Sequence, residues 1–317
     1  MEYRIHTSNG LRLSVLGINI FTSYSNKKKI NLLEINEILN ELKSRKINFI
    51  NIPYIDDHLI KEILEWEKKN DFSFVKSIEL GLPRNDDNSL LFSDNREEII
   101  QNRFQNIEDQ IESIFNLFAP QKFEFLTLFY PKLTHFNQNN LNSLIEKVKN
   151  TYSINSFGIH CQYLSDALLI CKHSNINHIE IELEINSSIE LINAIFKIVT
   201  DKNISVFCSL NNDLKNFKNS NYESTDSLAT LLKAGNIVLG DKISFNFNLK
   251  TNEIILLSIM KYLENDFQSV LVPFPDLELL KKYFNCLSKP YLTNDEKSIL
   301  KNILERQLYD SPKNKLT

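Results

Sequence analysis

Short runs of Val, Ile, Leu and Phe alternate along the chain with longer segments in which apolar residues return every three or four positions. A run that is apolar on both faces suits a strand covered on both sides, and the 3.6 period suits a helix packed along one stripe. The runs fall at 16–21, 47–52, 72–80, 123–129, 156–161, 178–185, 204–210 and 269–273. Helical segments follow them at 31–45, 58–69, 95–118, 140–151, 164–173, 188–201, 251–265 and 276–287, several opened by helix-start residues such as Ser165-Asp166, Ser187-Ser188 and Asp276. Eight βα units in strict alternation predict an α/β protein with a (β/α)8 TIM barrel, since an open sheet of that width is unusual.

Other segments lie outside the repeat. Residues 3–15 alternate around Asn9-Gly10, which predicts a tight β-hairpin, and this hairpin is placed to plug the barrel floor. The Asn- and Ser-rich stretch 211–250 is too long for an ordinary βα loop and is expected to overhang the mouth. Thr293 and Glu296 have capping-box spacing before an extra C-terminal helix over 295–309. Residues 1–310 therefore read as one barrel domain and 311–317 as a fraying tail.

Apolar residues make up 42% of the 317-residue chain and charged residues 24%, which is the balance of a soluble globular protein. A net charge of -4, with the run Lys27-Lys28-Lys29 standing alone, argues against a nucleic-acid partner. The sequence has no apolar stretch of about 18 residues and no signal-peptide pattern at its start, so the expected location is cytoplasmic, without a membrane partner. Cys161, Cys171, Cys208 and Cys286 form no CxxC pair and read as reduced, structural thiols.

Several motifs recur in order. Tyr3-Arg4 precedes Gly10-Leu11-Arg12-Leu13-Ser14-Val15-Leu16-Gly17; Ile47-Asn48-Phe49-Ile50-Asn51 precedes Glu62-Ile63-Leu64. Further on come Phe123-Glu124-Phe125-Leu126-Thr127-Leu128-Phe129-Tyr130-Pro131, Ile154-Asn155-Ser156-Phe157-Gly158-Ile159 and Val270-Leu271-Val272-Pro273. Together they span about residues 3–300 and resemble the aldo-keto reductase superfamily, whose members share the NADP-dependent oxidoreductase domain. Collinearity carries this likeness more than any one motif.

The resemblance implies hydride transfer from a nicotinamide cofactor to a carbonyl, with a Tyr as proton donor, a Lys paired to an Asp lowering that phenol's pKa, and an orienting His. Here the Asp position holds Asn51, the Tyr position Asp56 and the His position Phe129. The Lys position falls on Lys76 in one register and on Glu79 in the other, which takes Gly81 as the family's glycine. Asn51 brings no negative charge, an ionised Asp56 has no proton to donate, and Phe129 neither donates nor accepts. Tyr54, two residues before Asp56, is the alternative proton donor.

The cofactor positions are altered as well. His160-Cys161 stand where the family has the Ser-Asn that binds the nicotinamide amide, and Glu180 replaces a Gln. Ser209 and Pro273, at the ends of strands seven and eight, complete the positions that the resemblance assigns to the cofactor. Around the eighth helix start, Phe274-Pro275-Asp276-Leu277-Glu278 replaces a cationic phosphate clamp, with Lys281 and Lys282 a turn too late. NADP is thus the cofactor the resemblance implies, and this sequence disfavours it.

His178, Glu180, Glu182 and Glu184 fall on one face of strand six, which the resemblance makes barrel-mouth lining. No metal-ligand spacing accompanies them, so no metal is expected. The leading expectation is an aldo-keto reductase-like pseudoenzyme without NADPH-dependent carbonyl reduction, kept as a binding or regulatory component for an unknown small molecule or protein. One alternative is an NAD(P)-dependent oxidoreductase with a rearranged site using Tyr54 and Lys76. Another is an enzyme of a different class on the same barrel, using His160, Glu180 and Asp56.

Overall fold

The computed structural model describes residues 2–7, 9–20, 32–54, 57–81, 103–118, 123–130, 138–152, 154, 156–183, 187–210, 262, 266–273, 277, 280–281 and 284. Eight parallel strands close a barrel: β3 (Leu16–Asn19), β4 (Phe49–Pro53), β5 (Val75–Leu80), β6 (Phe125–Tyr130), β7 (Ser156–Cys161), β8 (His178–Leu183), β9 (Ser205–Leu210) and β10 (Ser269–Pro273), with β10 paired to both β9 and β3. Between them lie α1 (Leu32–Ser44), α2 (Asp57–Asn70), α3 (Arg103–Phe118), α4 (Gln138–Tyr152), α5 (Leu164–His173) and α6 (Ile189–Lys202). The expected (β/α)8 architecture is present. The stretch 211–250, the eighth helix start at 274–276 and the helix and tail beyond 295 lie outside the described residues. No helix among the described residues is long and apolar enough to cross a membrane.

Strand parity sorts the side chains into two compartments. Ile50, Ile52, Ile78, Ile159, Ile179 and Val206 join the helices in one apolar layer outside the barrel. Their neighbours Phe49, Phe125, Phe207 and Leu271 point inward and form a separate floor cluster with Leu13 of the N-terminal hairpin. That hairpin pairs β1 (Tyr3–Ile5) antiparallel to β2 (Arg12–Ser14). It is tied to the barrel by Ser269 Oγ donating to the Ser14 carbonyl (2.9 Å) and by the Ser14 amide donating to Asn48 Oδ1 (2.8 Å). His6 lies against Phe125 at 4.7 Å between ring centroids, so the hairpin closes the floor.

Two local expectations are corrected. The turn is wider than a two-residue Asn-Gly hairpin: the His6 amide bonds the Leu11 carbonyl, Gly10 takes a positive φ (71°) and Asn9 does not, and the Asn9 side chain instead accepts from the Leu11 amide. Several strands also begin later than their apolar runs, β5 and β6 because aromatic residues lead the run. Phe72 and Phe74 stack with Trp66 of α2, and Phe123 stacks with Phe115 and Phe118 of α3. These aromatics precede the strands and pin the helices to the barrel. At 156–161 and 269–273 strand and run coincide.

Helix ends follow their sequence signals unevenly. Ser188 caps α6 by accepting from the Leu191 amide, and Asn203 ends it in the left-handed conformation (φ 57°). In α5 the cap position is Tyr163, without a side-chain bond, so Ser165 and Asp166 lie in the first turn rather than before it.

Candidate functional site

Above the apolar floor the barrel interior becomes polar in two steps. The lower step centres on His178, at the start of β8, whose Nδ1 lies 2.8 Å from Ser156 Oγ and whose Nε2 lies 2.9 Å from Thr127 Oγ1. Thr127 in turn meets Ser77 Oγ at 2.9 Å. Both imidazole nitrogens are satisfied by hydroxyls and the ring is fully buried, so burial, with the His6 charge adding to it, holds its pKa well below 6.5. His178 therefore belongs to the barrel's packing and not to the mouth lining expected from the sequence. Gly158 makes room for it: a Cβ there would stand 2.2 Å from His178 Cδ2.

The upper step lies at the C-terminal strand ends, where barrels of this kind place their chemistry. His160 of β7 is its centre. Its Nδ1 bonds Glu79 Oε1 of β5, one strand beyond β6, and lies 3.8 Å from Glu180 Oε1, while Nε2 lies 3.5 Å from Glu182 Oε1. Phe129 of β6 packs against the imidazole edge to face, with centroids 5.2 Å apart. Burial opposes a charge on His160, but the carboxylates of Glu180, Glu79 and Glu182 outweigh it and push its pKa up to about 10. At neutral pH this ring is an imidazolium, which neither accepts a proton nor offers a lone pair to a metal.

Glu180 faces the same charge from the other side. Burial pushes its pKa up to about 7, with His160 pulling it down and Glu79 pushing it further up. The Ser209 hydroxyl also lowers it; Ser209 is near enough to favour the anion, yet neither Glu180 oxygen has a partner at hydrogen-bonding geometry. Ser209 Oγ itself accepts from Asn19 Nδ2 at 3.1 Å. Asn19 pairs in register with Asn51 of β4, whose amide is fully buried with both polar atoms unpartnered.

The positions singled out from the sequence divide by strand parity. Asn51, Glu79, Phe129, His160, Glu180 and Ser209 are brought together in the barrel interior. Lys76 is not: it points outward into the helix layer, where its ammonium donates to Glu67 Oε1 (3.0 Å), Glu67 Oε2 (3.2 Å) and the Phe74 carbonyl (2.8 Å). Of the two registers, the inward one belongs to Glu79. Tyr54 is nearly buried and donates its hydroxyl to Asp57 Oδ1 at 3.1 Å, so it is not brought to the Lys76 ammonium. Cys161 is outward-facing and packs in the apolar layer under α5. Pro273 ends β10 beside Asn19. Asp56, Glu184, Phe274, Pro275, Asp276 and Glu278 lie outside the described residues.

The strand-end positions that the resemblance gives to a nicotinamide carboxamide are altered in chemistry: Cys161 faces away, His160 is turned to Glu79 and Glu182, and an ionised Glu180 accepts but cannot donate to the carboxamide oxygen. Among the described residues no three His, Cys, Asp or Glu groups are arranged to hold a metal ion. Sequence reading missed Asn19 and the tie from His160 to Glu79. The inward parity of Asn19, two residues after Gly17, was a readable signal; a contact across 81 residues was not.

No family model matches the chain, and no curated protein sequence matches it. Solved structures do resemble it. An aldo-keto reductase from Bacillus halodurans in its holo form superposes with a TM-score of 0.67 at 14% identity, covering 96% of each chain. The glycerol dehydrogenase of Gluconobacter oxydans superposes with a TM-score of 0.62 at 12% identity, covering 96% of this chain and 95% of that one. With the closed eight-stranded barrel and its N-terminal hairpin, this likeness settles the architecture: the chain has the fold of the aldo-keto reductases.

Proposed function

We propose that the chain is a divergent member of the aldo-keto reductase superfamily that does not carry out NADPH-dependent carbonyl reduction and serves as a binding or regulatory component in the cytoplasm. One observation carries this reading: Asn51, Glu79 and Phe129 occupy the inward positions at the ends of β4, β5 and β6, while Lys76 is held by Glu67 in the helix layer. Reduction of a carbonyl creates an alkoxide that must be protonated or electrostatically stabilised, and a positioned donor supplies about two to four powers of ten in rate. The inward groups supply the opposite charge. Glu79, Glu180 and Glu182 would repel an alkoxide, and among the described inward residues at this level no Tyr or Lys answers them.

The fold neighbours named above are a reductase and a dehydrogenase, so the reading needs a direct test. Isothermal titration with NADPH, NADH, NADP and NAD should give no saturable heat. Binding of any of the four at micromolar concentration would restore the reductase reading. A second reading, an acid-base enzyme of another class, is favoured by Glu180 titrating near neutrality beside His160; it requires turnover of some substrate that Glu180→Gln abolishes.

A further inference from the structure

We propose that the upper barrel interior is a binding site for an organic ammonium ion, whose charged nitrogen sits among Glu180, Glu79 and Asn51. The proposal deepens the binding-protein reading above and rests on it. Three carboxylates, Glu79, Glu180 and Glu182, face one imidazolium, His160, so the described groups leave the interior short of positive charge. Only one Glu79 oxygen is used by His160. Its Oε2, both Glu180 oxygens and the Asn51 amide oxygen and nitrogen are buried without hydrogen-bond partners. Natural proteins leave few buried polar atoms in this condition, because each gives up its hydration without a replacement, and a charged one gives up more.

Asn51 is the independent observation. It lies on β4, carries no charge and takes no part in the His160 ion pairs, yet its fully buried amide also lacks a partner. Its neighbour in register, Asn19, reaches Ser209, which stands beside Glu180, so a run of inward polar groups links β4 through β3 and β9 to β8.

The chemistry selects the ligand. The unpartnered acceptors are Glu79 Oε2, Glu180 Oε1, Glu180 Oε2 and Asn51 Oδ1, against two unpartnered nitrogens, Asn51 Nδ2 and His160 Nε2. A group rich in N–H donors and positively charged answers that excess, and an anion meets repulsion. A divalent metal is a poorer match, since a protonated imidazole has no lone pair to give and no ligand triad is present among the described residues. An ammonium supplies three donors from a compact centre, and Phe129 beside His160 offers an apolar wall to its carbon chain.

The test uses the full chain and four probes: propylammonium chloride, 1-propanol, sodium propionate and magnesium chloride, each followed by isothermal titration and by the His160 ring resonances. Propylammonium alone should bind saturably and shift those resonances. Glu180→Gln and Asn51→Ala should each weaken it at least about tenfold, as truncating one partner of a buried charged contact does. The wild-type comparison stands if either variant fails to fold. Equal binding of propanol, binding of propionate or magnesium instead, or no binding of propylammonium would each overturn the proposal. Aldehyde reduction with NADPH would overturn the functional reading while leaving ammonium binding to be judged on its own titration.

Discussion

Replacing Gly158 by alanine should be among the most destabilising single changes in the barrel. The added Cβ would stand 2.2 Å from His178 Cδ2, 2.3 Å from Nε2 and 2.5 Å from Cγ, against an ordinary carbon contact of about 3.5–4.0 Å. The ring must therefore withdraw by about 1 Å. It has nowhere to go: Ser156 and Thr127 hold its two nitrogens at 2.8 and 2.9 Å, and the Phe125 and Phe207 rings both lie 5.3 Å away between centroids. Overpacking of this kind costs about 1–3 kcal/mol. A hydrogen bond broken with its groups still buried adds about 1–3 kcal/mol, so with one of the two lost a total of about 2–6 kcal/mol is expected. Urea denaturation should show a lower midpoint at unchanged slope. In a His178→Ala background the ring is gone, and Gly158→Ala should then cost less than about 1 kcal/mol, a coupling that a double-mutant cycle reads directly. A cost below about 1 kcal/mol in the natural sequence, or the same cost in both backgrounds, would refute the steric argument.

Lys76→Met should destabilise by about 3 kcal/mol in the same assay, because Glu67 keeps its buried carboxylate and loses its cation; a loss under about 1 kcal/mol would contradict that pairing. His160 should still carry its proton at pH 8 by NMR, with a midpoint near 10 that falls when Glu79 becomes Gln; titration near 6.5 in the natural chain would contradict the ion-pair geometry. Because the folded pKa lies above the unfolded value of 6.5, the stability His160 contributes is complete below pH 6.5 and is lost as pH rises towards 10, so thermal stability should decline over that range. On the acid side burial holds His6 near 4, so its neutral form is required and its contribution is lost as pH falls from 6.5 through 4; His6→Phe should flatten that acid limb.

The barrel was legible because its signal is repeated: eight apolar runs and their helical intervals are each weak, but their alternation is not. Run edges were less so, since Phe72, Phe74 and Phe123 read as strand and act as aromatic anchors for the preceding helices. In the site, parity was the readable quantity. The Glu79 register, counted from Gly81, matches the observed inward face, whereas Lys76 read alike as a catalytic or an exposed lysine because its partner Glu67 is on another element. Glu180 and Glu182 were placed by the same alternation. His178 was misplaced by it, since alternation gives the face of a strand and not the depth, and its partners Ser156 and Thr127 come from two other strands.

The central claim is that the inward groups at the strand ends cannot support the family's carbonyl chemistry. The most direct measurement is NADPH absorbance with a simple aldehyde in excess. The account predicts consumption indistinguishable from the enzyme-free rate, and little recovery when Asn51→Asp, Asp56→Tyr and Phe129→His are combined, because His160 and Glu180 still stand at the carboxamide positions, paired with each other and with Glu79. Steady turnover by the natural chain that Tyr54→Phe abolishes would contradict it.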